Sequence, residues 1–108
     1  MQIAVRINNA DIEEAVRTYV ERRLRFALAR YGGRVGQVSV QVTIEKHGEK
    51  RCRISVEVLP FGRLAVEEKH RDLFAAIDRA TGRVGWLFGR ELQRNRRVRG
   101  RESIRYAA

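Results

Sequence analysis

Residues 38–59, VSVQVTIEKHGEKRCRISVEVL, decide the fold. Val38, Val40, Val42 and Ile44 alternate with Ser39, Gln41, Thr43 and Glu45, a period of two that puts the apolar side chains on one face of a strand. KHGEK at 46–50 has turn composition. RCRISVEVL at 51–59 then alternates again, with Cys52, Ile54, Val56 and Val58 on the buried side. Two such runs across a short polar link predict an antiparallel hairpin with one apolar face. PFG at 60–62 is a second turn, since Pro60 has no amide to give a central ladder. RLAVEE at 63–68 reads as a third short strand of the same kind.

Upstream, QIAVRI at 2–7 places Ile3, Val5 and Ile7 on one face, a further half-buried strand. After NNA, Asp11 stands three residues before Glu14, the spacing of a capping box. Apolar residues then fall at 12, 16, 19, 20, 24, 27, 28 and 31, which predicts a helix of about five turns. GGR at 32–34 ends it, with Gly32 as its C-terminal cap.

HRDL at 70–73 has the opening letters of a kinase catalytic loop. The grammar fails: Ile77 stands where the metal-binding Asn belongs, and neither a glycine-rich loop nor Asp-Phe-Gly accompanies it. Asp72 reads instead as the N-cap of a second helix, and His70 as a loop residue. Leu73, Ile77, Ala80, Val84, Leu87 and Phe88 form the apolar stripe of that helix. The expected architecture is α+β, in the order β-α-β-β-β-α: a four-stranded mixed sheet with two helices packed on one face. The other face, carrying Gln37, Ser39, Gln41, Thr43, Arg53, Ser55 and Glu57, is expected to meet solvent. The expected organisation is one domain over 1–95 and a basic, flexible tail over 96–108.

Composition narrows the function. The 108 residues hold 20 Arg, three Lys and 13 acidic residues, a net charge of +10. Arginine forks match phosphate oxygens in pairs and stack on bases, so this balance points to a nucleic acid. Residues 90–108 alone carry seven Arg against two Glu. Cys52 is the single cysteine, so the chain forms no internal disulfide, which fits a reducing cytosol. No apolar run has the form of a signal peptide or membrane span. The serines, and the histidines His47 and His70, stand in no catalytic or metal-ligating pattern.

At about 100° per residue, Arg79, Arg83, Trp86, Arg90, Arg94 and Arg97 fall within a stripe about 80° wide on the second helix, away from its apolar side. Guanidinium groups there can meet phosphates while the indole stacks on an unpaired base. Arg22, Arg23, Arg25 and Arg30 add a weaker signal from the first helix, offset by Glu13, Glu14 and Glu21. Arg23 and Arg30 lie on its flank and join the stripe if the helices pack side by side. Gly82, Gly85 and Gly89 form a small-residue strip, costing on the order of 2–3 kcal/mol of helix propensity against Ala. It reads either as a site of close backbone approach or as a weak, fraying helix. The exposed sheet face has no aromatic residue, so base stacking of the RNA-recognition-motif kind is not expected there.

The element order, RCRISV at 51–56 and DLFAAID at 72–78, followed by Arg at helical spacing, resemble the ribosome hibernation promoting factor/protein Y family in its short form. The resemblance runs from Met1 to about Arg97. It implies a non-enzymatic translation inhibitor that binds small-subunit ribosomal RNA over the tRNA and mRNA sites and silences idle ribosomes in stationary phase or stress. Arg83 and Arg90 match the family's basic second-helix positions, with Arg79 and Arg94 nearby. The implied setting is the cytoplasm, with no cofactor, no small-molecule substrate and no membrane, and a monomer off the ribosome. Trp86 departs from the pattern, standing where a basic residue is common. The long form's C-terminal dimerisation domain is missing, so ribosome dimerisation through it is not expected. The alternative reading is a general RNA- or DNA-binding module.

Overall fold

The structure, a computed structural model, describes the backbone of residues 1–107 and the side chains of residues 1–94. Four strands form one sheet in the order β1-β2-β3-β4: β1 (Gln2–Ile7), β2 (Val35–Ile44), β3 (Lys50–Val58) and β4 (Arg63–His70). β1 pairs with β2 in parallel, while β2–β3 and β3–β4 are antiparallel. A parallel pair needs a crossover, and α1 (Glu13–Leu28) supplies it. α2 (Leu73–Ala107) returns from β4 onto the same face. The mixed α+β sheet with both helices on one side is the architecture expected from the alternation and periodicity. The side chains beyond residue 94 lie outside the described residues, and with them Arg97 and the expectation of a flexible tail over 96–108.

The core is the interlock of the two periodic patterns. Val38, Val40, Val42, Cys52, Ile54, Val56 and Val58 of the sheet meet Val16, Val20, Leu24 and Leu28 of α1 and Ile77, Ala80, Val84 and Phe88 of α2, all buried. Each Val, Leu, Ile or Phe among them contributes about 1.5–3 kcal/mol on full burial. The thiol of Cys52 is pushed up to about 12 by that burial.

Several local details differ from expectation. α1 does not start from a capping box at Asp11. Asn9 accepts from the Asp11 amide at 3.0 Å, and Ala10–Ile12 wind a 3-10 turn before α1 begins without a side-chain cap. The carboxamide of Asn9, two residues upstream, satisfies the free amide first, which moves the helix start. At the other end α1 stops at Leu28 and continues as a 3-10 segment, Ala29–Arg34, in which Gly32 has φ 47°. This last turn uses a positive φ that a glycine tolerates. β2 begins earlier than the strict alternation, at Val35, and reaches it through an irregularity between Val35 and Val38. No helix among the described residues is long and apolar enough to cross a membrane.

Candidate nucleic-acid interface

Asp72 caps α2 as its sequence position suggested: Oδ1 accepts from the amides of Phe74 at 2.9 Å and Ala75 at 3.3 Å. His70 Nδ1 accepts from the Asp72 amide at 2.9 Å, so the imidazole braces the turn that aims the helix. One and a half turns on, Asp78 bolts α2 to α1. Tyr19 Oη donates to its Oδ1 at 2.6 Å, and Arg23 Nε lies 3.2 Å from the same oxygen. The bond to Asp78 is the main reason the Tyr19 phenol is held above its ordinary range, with burial adding to it.

The glycine strip resolves into two roles. A Cβ at Gly85 would stand 3.2 Å from the Ala27 carbonyl oxygen, and one at Gly89 would stand 2.8 Å from the Tyr31 hydroxyl. Those two positions let α1 and α2 approach closely, and Tyr31 Oη donates to the Gly85 carbonyl at 3.1 Å. Gly82 meets nothing within 4 Å and leaves helix backbone open.

Above this contact the two helices frame a groove of about 570 Å³, with Arg23, Phe26 and Arg30 on the α1 side and Trp86, Arg90 and Gln93 on the α2 side. The flank residues Arg23 and Arg30 do join the second-helix stripe there. Arg90 holds its guanidinium 4.8 Å over the Trp86 ring, and Arg30 sits 5.9 Å over Tyr31. Trp86 is 63% exposed and Phe26 83% exposed. Arg30, Arg90 and the exposed aromatic rings together suit a strand of RNA, offering charge to phosphates and π surface to unpaired bases, while the Arg23 charge is partly matched by Asp78.

Not every expected residue stands in the groove. Arg79 and Arg94 are exposed on the same helix but do not line it. Arg83 turns toward β4, where Nη1 contacts Glu68 Oε1 at 3.0 Å and the Glu67 carbonyl at 3.4 Å. Its charge is therefore partly matched within the protein. Arg22 and Arg25 are exposed away from the groove. Phe26 was not among the expected site residues. Its signal was available, since a phenylalanine off the apolar period of α1 has no core position to fill.

Residues 3–85 match the family described as Sigma 54 modulation protein / S30EA ribosomal protein. The chain is 36% identical over 76 residues to the ribosome hibernation promotion factor of Deinococcus radiodurans, covering 68% of this chain and 39% of that protein. It therefore spans about two fifths of the length of that curated relative. Among solved structures it is similar to the N-terminal domain of Thermus thermophilus Protein Y, with a TM-score of 0.71 at 34% identity, over 83% of this chain and 98% of that one. A ribosomal subunit interface protein from Coxiella burnetii shares the fold, with a TM-score of 0.74 at 17% identity over 86% and 99% of the two chains. With more than half of its length matched, the chain belongs to the Sigma 54 modulation protein / S30EA ribosomal protein family.

Proposed function

We propose that this protein is a ribosome hibernation factor that binds ribosomal RNA of the small subunit over the tRNA and mRNA sites and silences idle ribosomes. The observation that carries the reading is the inter-helix groove, where Arg23, Arg30 and Arg90 surround the exposed Phe26 and Trp86. Its mechanism is occlusion. A rigid domain, held by phosphate contacts and by stacking, stands where tRNA and mRNA must sit, and no bond is made or broken. The protein works in the cytoplasm, in stationary phase or stress, and is a monomer off the ribosome. Relatives named as hibernation promotion factor and Protein Y support this reading.

The test is co-sedimentation with purified subunits and intact ribosomes at several salt concentrations, alongside translation in vitro. Stoichiometric binding to the small subunit with inhibited translation is expected, and excess tRNA or duplex DNA should not displace the protein. Equal spread over both subunits and free RNA, or unaffected translation, would leave a general nucleic-acid binder instead.

A further inference from the structure

The sheet face opposite the helices is not merely solvated. Its register aligns Ala4, Ser39, Ser55 and Ala65 in one row across all four strands. These are small side chains, so the row is a trough about 14 Å long, three inter-strand spacings of about 4.8 Å. A depression of about 540 Å³ lies along its Ala4, Ser39 and Ser55 part. Arg6 and Arg53 stand in the adjoining row on one side, where Arg6 pairs with Gln41 and Gln41 with Arg53. Arg63 stands on the other side. All three arginines are exposed. The same register sets Glu67 opposite Arg53 and Glu57 opposite Arg63. Glu67 leans to Arg51 at 3.5 Å and Glu57 Oε1 accepts from the Gln37 amide at 3.4 Å, so the three arginines outnumber the two acids by one charge.

We infer that this trough is a second binding site, for the sugar-phosphate backbone of a single RNA strand crossing the sheet. Three guanidinium groups around a floor bearing Ser39 and Ser55 hydroxyls offer charge and hydrogen-bond donors to phosphate oxygens. The small-residue row lets the strand lie close to the sheet. The face has no aromatic platform, so it grips backbone without reading bases. An acidic protein segment is the competing occupant. Arginine in place of lysine at all three positions suits planar, paired recognition of phosphate and carboxylate alike. The net charge of +10 and the groove of cations and aromatic rings on the other side of the same domain favour phosphate. The site lies on the opposite side of the sheet from the helix groove, so one domain holds two RNA segments apart. The inference requires RNA and not the ribosome, and it stands or falls separately from the function proposed above.

The experiment titrates the ¹⁵N-labelled full chain with octauridylate and follows amide shifts by NMR. Ser39, Gln41 and Ser55 amides are expected to move, alongside the Trp86 indole. The triple variant Arg6→Gln, Arg53→Gln, Arg63→Gln should lose the sheet shifts and keep the indole shift. Its slope of log affinity against log salt should fall by about 2, at about 0.7 per lost single-strand contact. Sheet amides that stay still at saturating octauridylate, or an unchanged salt slope in the triple variant, would overturn the site. So would sheet shifts produced by hexaglutamate and not by octauridylate, which would assign the face to an acidic protein. Co-sedimentation of the unmodified chain with small subunits judges the hibernation reading independently.

Discussion

Arg90 and Arg83 share one helix stripe, yet they are not equivalent. Arg90 covers one side of the Trp86 ring at 4.8 Å and leaves its charge open to the groove. Arg83 is tied to Glu68 at 3.0 Å, so binding a phosphate with it first costs that ion pair. Replacing Arg90 by Ala is therefore expected to weaken small-subunit binding more than replacing Arg83 by Ala, in co-sedimentation at fixed salt. Changing Glu68 to Gln should release Arg83 and tighten binding by up to about fivefold, the equivalent of a surface ion pair of about 1 kcal/mol. Equal losses for the two arginine variants, with no gain from the Glu68 change, would show that the ion pair is irrelevant in the complex. The Tyr19–Asp78 bond makes a prediction of a different kind. A phenol whose folded pKa is raised above 10 contributes stability that is fully present below pH 10 and is lost as pH rises through the folded value. The unmodified chain should therefore lose stability above pH 10 more steeply than the Tyr19→Phe variant, followed by urea denaturation across that range. Neither the Arg83 pair nor the Asp78 bolt was legible in the sequence. Each joins elements brought together only by the fold, 15 and 59 residues apart.

The elements themselves were largely legible, for a physical reason. Alternation at 38–44 and 51–58 is imposed by a sheet with one buried face, and the 3.6-residue period of α1 and α2 by a helix with one buried stripe. What escaped were the two ends of α1, where a single residue decides, whereas the Asp72 cap of α2 was legible. The Asn9 carboxamide caps a 3-10 turn ahead of α1, and Gly32 serves a 3-10 turn beyond its end. The glycine strip of α2 was visible but ambiguous, because sequence spacing does not tell a helix neighbour from open space. The geometry separates the two cases, and so should mutation. At Gly82, Ala meets nothing and gains about 1 kcal/mol of helix propensity, which raises Tm by roughly 4–8 °C in a domain of this size. At Gly85 the same change presses a methyl against the Ala27 carbonyl at 3.2 Å. Overpacking there costs typically about 1–3 kcal/mol, enough to cancel the propensity gain or exceed it. The thermal denaturation temperature should therefore rise for Gly82→Ala and stay level or fall for Gly85→Ala. A gain at both positions would mean that the helices separate without cost and that the strip is simply a weak stretch of helix.

At the scale of the whole molecule, charge and core are divided along the chain. The last fully buried α2 side chain among the described residues is Phe88, and Leu92 packs against the core at its edge. The family match ends at residue 85. Residues 96–108 add five Arg and one Glu and no apolar periodicity. We propose, on this division, that folding belongs to residues 1–95 and that the last thirteen residues are a basic tail that adds charge toward RNA. A chain ending at residue 95 should then melt within a few degrees of the full chain while its affinity for the small subunit becomes less sensitive to salt. Removing a net charge of +4 in contact with RNA would lower the slope of log affinity against log salt by up to about 3, at about 0.7 per phosphate contact in single strands. A slope that falls without a change in melting places the tail on RNA. A large drop in melting temperature would instead place it against the domain, and the boundary at 95 would be wrong. An unchanged slope would leave the inter-helix groove and the arginines around it to hold the ribosome alone.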